Sequence, residues 1–288
     1  MSDLKKEIDD VSGVDTTGHE WDGIKELNTP MPRWWVYTFI VCCIWAFVYQ
    51  FFYPSWPLIS DYYKGYFAET NRDRLNDELG NVAQQRSVTL DKIRTMDLED
   101  IRRDNALNTF ALAGGKAAFG DNCAPCHGTG AAGFTGYPNL NDDDWLWGGT
   151  LEDIYTTISY GIRSTHEETR VNDMPAFLKD ELLTKAEIED VVTYAQSLSD
   201  RSIKATESGR VLFADNCALC HGEDGKGLRE FGAPNLTDAI TLYVTDRDSM
   251  IDIVSNSRKG VMPTWSGRLD EATIKSLAIY IHSLGGGE

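Results

Sequence analysis

Positive charge is what this 288-residue chain lacks most: 27 lysines and arginines stand against 45 aspartates and glutamates, for a net charge of -18. A phosphate backbone is bound by clustered Lys and Arg, so this balance excludes nucleic acid as a natural partner and suits a cationic protein instead. Cysteine is also sparse. Of the six, Cys42 and Cys43 lie in an apolar run and the other four in two pentapeptides, which leaves none for a disulfide framework. Neither pentapeptide is flanked by the β-branched runs of a βαβ unit, which argues against a thioredoxin-like redox pair. Long runs that are both uncharged and apolar are missing too, with one exception between Trp34 and Tyr53.

What the chain does have is Cys123-Ala-Pro-Cys-His127 and Cys217-Ala-Leu-Cys-His221. In Cys-x-x-Cys-His the two thiols add to the vinyl groups of a haem and the histidine becomes an axial iron ligand, so the expected thioether cysteines are Cys123, Cys126, Cys217 and Cys220. Two covalently bound c-type haems are therefore expected. A four-thiolate zinc site needs Cys-x-x-Cys pairs about 15 to 20 residues apart, far closer than these. Covalent haem is assembled outside the bacterial cytoplasm, which puts both motifs in the periplasm.

The twenty uncharged residues from Trp34 to Tyr53 span roughly 30 Å as a helix at about 1.5 Å per residue, enough to cross a bilayer. Trp34 and Trp35 at one end, and Tyr49, Tyr53 and Trp56 at the other, sit where interfacial aromatics belong, and Pro54 and Pro57 stop the helix. No small-residue cleavage site follows, so the segment is expected to remain as an anchor in the bacterial inner membrane. Flanking charges nearly tie. The haem motifs set the orientation instead, with residues 1–33 cytoplasmic, 34–53 transmembrane, 54–105 a periplasmic connector, and haem domains at 106–200 and 201–288. In the connector Leu75, Leu79, Val82, Leu90, Ile93 and Ile101 recur at loosely helical spacing, which reads as packing or linker.

The haem-bearing part is an internal repeat. Gly115, Phe119, Asn122 and Cys123 return as Gly209, Phe213, Asn216 and Cys217; Pro138-Asn-Leu140 returns as Pro234-Asn-Leu236, and Met174-Pro175 as Met262-Pro263. Each copy closes with an amphipathic helix. Ile188, Val191, Val192, Ala195 and Leu198 correspond to Ile274, Leu277, Ala278, Ile281 and Leu284, and Tyr194 to Tyr280. Thr184 and Glu187 form an expected capping box, and Asp270 an expected N-cap.

Irons held by His127 and His221 need sixth ligands, and Met174 and Met262 are the candidates, each followed by proline and placed between a haem motif and a closing helix. His166 is the rival ligand in the first copy, while Met96 and Met250 read as core fillers and His19 and His282 as ordinary histidines. Pro138 and Pro234 stand where a backbone carbonyl would orient each axial imidazole. Arg163 and Arg258 are candidate partners of haem propionates. Two protein ligands per iron leave no open position, which argues against a peroxidase and for electron transfer.

The N-terminal run from Thr17 through Trp21-Asp-Gly-Ile-Lys25 to Arg33-Trp-Trp35, the anchor, the connector and the paired motifs together resemble the membrane-anchored di-haem subunit (subunit III) of cbb3-type cytochrome c oxidases. The resemblance covers essentially the whole chain. It implies an all-α fold of one transmembrane anchor helix followed by two tandem cytochrome c domains, with both haems six-coordinate through His127, His221, Met174 and Met262. It also implies a non-catalytic role in a proton-pumping terminal oxidase of the respiratory chain, relaying electrons from a donor cytochrome c towards a mono-haem cytochrome c subunit and the catalytic haem-copper subunit. A free-standing anchored di-haem shuttle is the alternative. Repeat order leaves open whether each methionine serves its own copy's haem or the other's.

Overall fold

The computed structural model describes residues 7–288; the first six residues of the expected cytoplasmic segment lie outside the described residues. The chain divides after Gln85 into two units.

The first unit opens with an antiparallel hairpin, β1 (Thr16–Trp21) and β2 (Ile24–Leu27). Asp22 and Gly23 take φ of 49° and 83°, the pair of positive angles that a primed two-residue turn requires. An Asp-Gly pair between Trp21 and Ile24 announces this hairpin, a signal the charge-and-composition reading of residues 1–33 passed over. Helix α1 (Arg33–Phe52) coincides with the expected span and ends at Tyr53, before Pro54. None of its residues is buried although nearly all are apolar, a pattern suited to a hydrocarbon environment by length and composition. The chain then folds back, the Tyr66 and Phe67 amides donating to the Phe51 and Phe52 carbonyls at 3.1 and 3.0 Å, and the rings of Tyr66 and Phe67 gather around Phe52.

Helix α2 (Asn71–Thr95) leads into the second unit. Leu75, Leu79 and Val82 stay exposed, whereas Ile93 and, on α3 (Leu98–Arg103), Ile101 are fully buried, so the end of the expected connector packs into a core. Lys275 secures the C-terminus of α2 by donating to the carbonyls of Arg94 and Met96 at 2.9 and 2.8 Å.

The first repeat supplies α4 (Asn105–Asn122), α5 (Ala124–His127), α6 (Leu151–Tyr160) and α7 (Lys185–Ser199). The second supplies α8 (Glu207–Asn216), α9 (Ala218–His221), α10 (Arg247–Asn256) and α11 (Glu271–His282). The capping box at Thr184 and Glu187 forms, and Asp270 caps α11 by accepting from the Ala272 and Thr273 amides. These two tandem copies do not pack separately, because α11 lies on α4 and α7 lies on α8. Gly115 and Gly209 make both crossings feasible: a Cβ at Gly115 would stand 2.2 Å from the Ser276 carbonyl oxygen, and one at Gly209 2.4 Å from that of Asp190. Beside them Phe119 meets Tyr280 at 5.6 Å and Phe213 meets Tyr194 at 5.1 Å between ring centroids.

Two cores result. The first joins Leu107, Phe119, Ile154 and Ile158 to Leu277 and Ile281, and the second joins Phe177, Ile188 and Val192 to Phe213. The second packed unit is thus one continuous stretch from about Met174 to Asn256, and the first is assembled from the chain on either side of it.

Candidate haem sites

Each Cys-x-x-Cys-His motif is a single helical turn, α5 or α9, entered through its first cysteine and left through a glycine after its histidine. His127 Nδ1 lies 3.1 Å from the Pro138 carbonyl and His221 Nδ1 3.1 Å from that of Pro234. A proton on Nδ1 donated to these carbonyls leaves the Nε2 lone pair free for a metal. Burial pushes both imidazoles below their ordinary value, which favours the neutral, ligating form. The Cys123 and Cys217 thiols are pushed up to about 11 by burial and then by Cys126 and Cys220. Such thiols are protonated at neutral pH, unlike a thioredoxin-type nucleophile. Among the described residues no three metal-ligating His, Cys, Asp or Glu side chains converge.

The packing of the closing helices determines which methionine loop lies towards which motif. Met262 joins Cys123, Cys126 and His127 in the wall of a cavity of about 460 Å³. This size falls within the about 300–1,000 Å³ common for pockets that enclose an organic group. Met262 is fixed there by a two-bond bridge: its amide donates to the Ile162 carbonyl and the Ile162 amide returns a bond, both at 3.0 Å. Thr264 Oγ1 adds a bond to the Ser159 carbonyl at 2.7 Å, and the Trp265 amide one to Ile158 at 3.2 Å. The second site is arranged reciprocally. Met174 packs on the second core, which also carries Cys217 and Leu236, and its loop reaches the second motif through Asn172 Nδ2, 3.9 Å from Cys220 Sγ; the Met174 carbonyl accepts from Ser257 Oγ at 2.8 Å while the Phe177 amide donates to the Val254 carbonyl at 3.0 Å. The end of α6 therefore holds the methionine of the second copy, and the end of α10 holds that of the first.

His166 is drawn away from this arrangement: its ring lies 4.7 Å from that of Tyr160, and its Nδ1 accepts from the Glu168 amide at 3.1 Å. Met96 and Met250 fill the margins of the first and second cores. His282 Nε2 lies 2.9 Å from the Glu288 carbonyl, and His19 stacks on Trp21. The two arginines differ. Arg163 lines the cavity, whereas Arg258 forms an exposed pair with Asp252. Sequence reasoning passed over the cavity walls made by Trp145, Trp147 and Trp265; the Asp-Trp-Leu-Trp run just after Pro138-Asn-Leu is the signal for the first two. At the same margin Asp144 is pushed up to about 6, by burial first and then by Asp238, Asp142 and Asp143.

A haem fits this donor set: thiols at the attachment spacing, an oriented imidazole and a thioether border one largely apolar cavity. The chain matches the family described as "Cytochrome C oxidase, cbb3-type, subunit III" over residues 110–194 and 204–281, and the "N-terminal domain of cytochrome oxidase-cbb3, FixP" over residues 13–60. The chain belongs to the cbb3-type oxidase subunit III family. Relatives named cbb3-type cytochrome c oxidase subunit FixP include those of Bradyrhizobium sp. (strain ORS 278), 52% identical over 98% of both chains, and of Bradyrhizobium diazoefficiens, 51% identical over 98% of both. That of Rhizobium meliloti is 47% identical over 100% of both. This subunit III member is thus a haem-binding cytochrome c subunit of the oxidase, with electron transfer as its task and catalysis assigned to a separate subunit.

Proposed function

We propose that this subunit carries two covalently attached c-type haems, one held by Cys123, Cys126, His127 and Met262 and the other by Cys217, Cys220, His221 and Met174. Two observations support this reading: Met262 shares a cavity wall with Cys123, Cys126 and His127, and the Met174 loop lies on the core that carries Cys217, with Asn172 Nδ2 3.9 Å from Cys220 Sγ. A bound haem iron supplies a reversible one-electron couple. The residues around it do the rest. The Pro138 and Pro234 carbonyls orient the imidazoles, the bridged methionine loops hold the thioethers, and the apolar walls exclude water. A thioether opposite a histidine favours the reduced state, and with both axial positions taken by protein no site remains for oxygen or peroxide.

In this reading electrons arrive from a donor cytochrome c and pass towards the mono-haem subunit and the catalytic haem-copper subunit. Most of the net charge of -18 lies beyond residue 33, which favours a cationic donor by electrostatic steering. Helix α1 anchors the chain in the bacterial inner membrane, N-terminus cytoplasmic and haem domains periplasmic, because covalent haem attachment takes place outside the cytoplasm. The test is gentle solubilisation, purification through a tag on this chain, haem staining and oxygen uptake with reduced cytochrome c. Co-purification with larger haem subunits and oxygen uptake is the expected result. A lone two-haem protein without oxygen uptake would instead identify an anchored shuttle.

A further inference from the structure

Arg163 occupies a position that the repeat does not duplicate. Its guanidinium donates from Nε to the Gly260 carbonyl at 2.7 Å and from Nη1 to the Asn172 carbonyl at 2.9 Å. Gly260 lies two residues before Met262 and Asn172 two residues before Met174, so one side chain grips both methionine loops at the same place in each. Asp173 reinforces the junction, with Lys259 at 2.7 Å and Arg163 at 3.9 Å.

The backbone is committed to this arrangement. Arg163 has φ of 50°, a left-handed conformation that is strained for a non-glycine residue and persists only where its surroundings impose it. Those surroundings are present: Ile162 is bridged to Met262, the Arg163 amide donates to Arg170 at 2.9 Å, and the Arg170 amide to Gly161 at 3.1 Å. In the second copy the comparable turn after α10 reaches only one methionine loop, through Ser257, and Arg258 bonds Asp252 on its own helix instead.

We propose that Arg163 is a positioning residue for both axial methionines, tying the two loops into one element so that ligation of the two haems is set jointly. The proposal rests on the ligand assignment above. It goes beyond that assignment because it makes the two sites interdependent through one guanidinium, whose planar fork matches two carbonyls as a lysine ammonium does not.

The test uses the intact oxidase with Arg163→Gln, Arg163→Lys and Arg163→Gly in this chain, and Arg258→Gln as a control. The readouts are the charge-transfer absorption of methionine-ligated ferric haem and the redox potentials of the two haems of this subunit. Arg163→Gln should weaken that absorption and lower both potentials, while Arg258→Gln changes neither. Arg163→Lys restores charge without the fork and should leave both potentials lowered. Arg163→Gly relieves the backbone strain, keeps the test available if the glutamine variant does not accumulate, and should give the same paired shift. A shift confined to the haem at Cys123, or full rescue by lysine, overturns the proposal in favour of a local charge effect in the first cavity; no shift at all overturns it outright. If the wild type lacks the methionine absorption, the ligand assignment itself fails, and the proposal with it.

Discussion

The two candidate haem sites have nearly the same parts but are built along the chain in different ways. The second draws Met174, α7, the motif at α9 and α10 from one continuous stretch, whereas the first waits for Met262 and α11 to return across that entire stretch. Repeated sequence therefore does not imply repeated construction. In the proposed assignment each copy contributes a motif to one site and a methionine to the other, and only the connections decide which helices meet.

The largest effect should come from ligand changes that break the comparison. In a chain with Cys217→Ala and Cys220→Ala, one covalent haem remains. There Met262→His should abolish the methionine charge-transfer absorption and lower the potential on the order of 0.1 V, within the about 0.8 V over which axial ligands act. Met174→Ala in the same background should leave both readouts intact; the opposite pattern would show that each copy keeps its own methionine.

Overpacking the helix crossings should come next. Gly115→Ala and Gly209→Ala each push a Cβ onto a backbone carbonyl that cannot rotate away, for a loss of about 1–3 kcal/mol in chemical denaturation. The former should also disturb the absorption of the Met262 site, since it loosens α11, while the latter should disturb only that of Met174.

A smaller effect distinguishes the sites by a single bond. Tyr155 on α6 donates to Glu271 on α11 at 2.7 Å, a link for which α10 has no tyrosine. Tyr155→Phe should lower stability by about 1.5 kcal/mol, as expected for a hydrogen bond to a charged acceptor, measured by thermal unfolding.

The smallest effect is a pH dependence peculiar to the first site. The fold raises the Asp144 carboxyl from 3.8 to about 6, so its charged form is penalised. That penalty is complete above about pH 6, fades as the pH falls from 6 towards 4, and vanishes only about a unit below the ordinary value of 3.8, where the group is protonated in both folded and unfolded chains. Asp144→Asn should stabilise the protein at pH 7 and do so progressively less as the pH falls towards 3, as followed by denaturation across that range.

Much of this was legible in the residues. The motifs marked the candidate cysteines and histidines, the repeat marked the candidate methionines and the two prolines whose carbonyls meet the imidazoles, and the uncharged run marked α1, because each depends on local spacing or composition. The exchange of closing helices was not read, since α7 and α11 carry equivalent apolar faces and either fits α4 or α8 by pattern. What separates them is connection length: residues 200–206 join α7 to α8 in a loop too short to favour anything but adjacent packing. That cue was in the sequence. The aromatic walls and the double grip of Arg163 were not, because they arise where segments about a hundred residues apart converge.

A chain synthesised from its N-terminus completes the second core, built from about Met174 to Asn256, before the first, which waits for α11. Until Met262 and α11 emerge, the cavity beside Cys123 and His127 lacks the wall that Met262 and Ile281 supply. Order of emergence thus becomes an order of closure: the motif made first is the one whose cavity is walled last, by the final thirty residues.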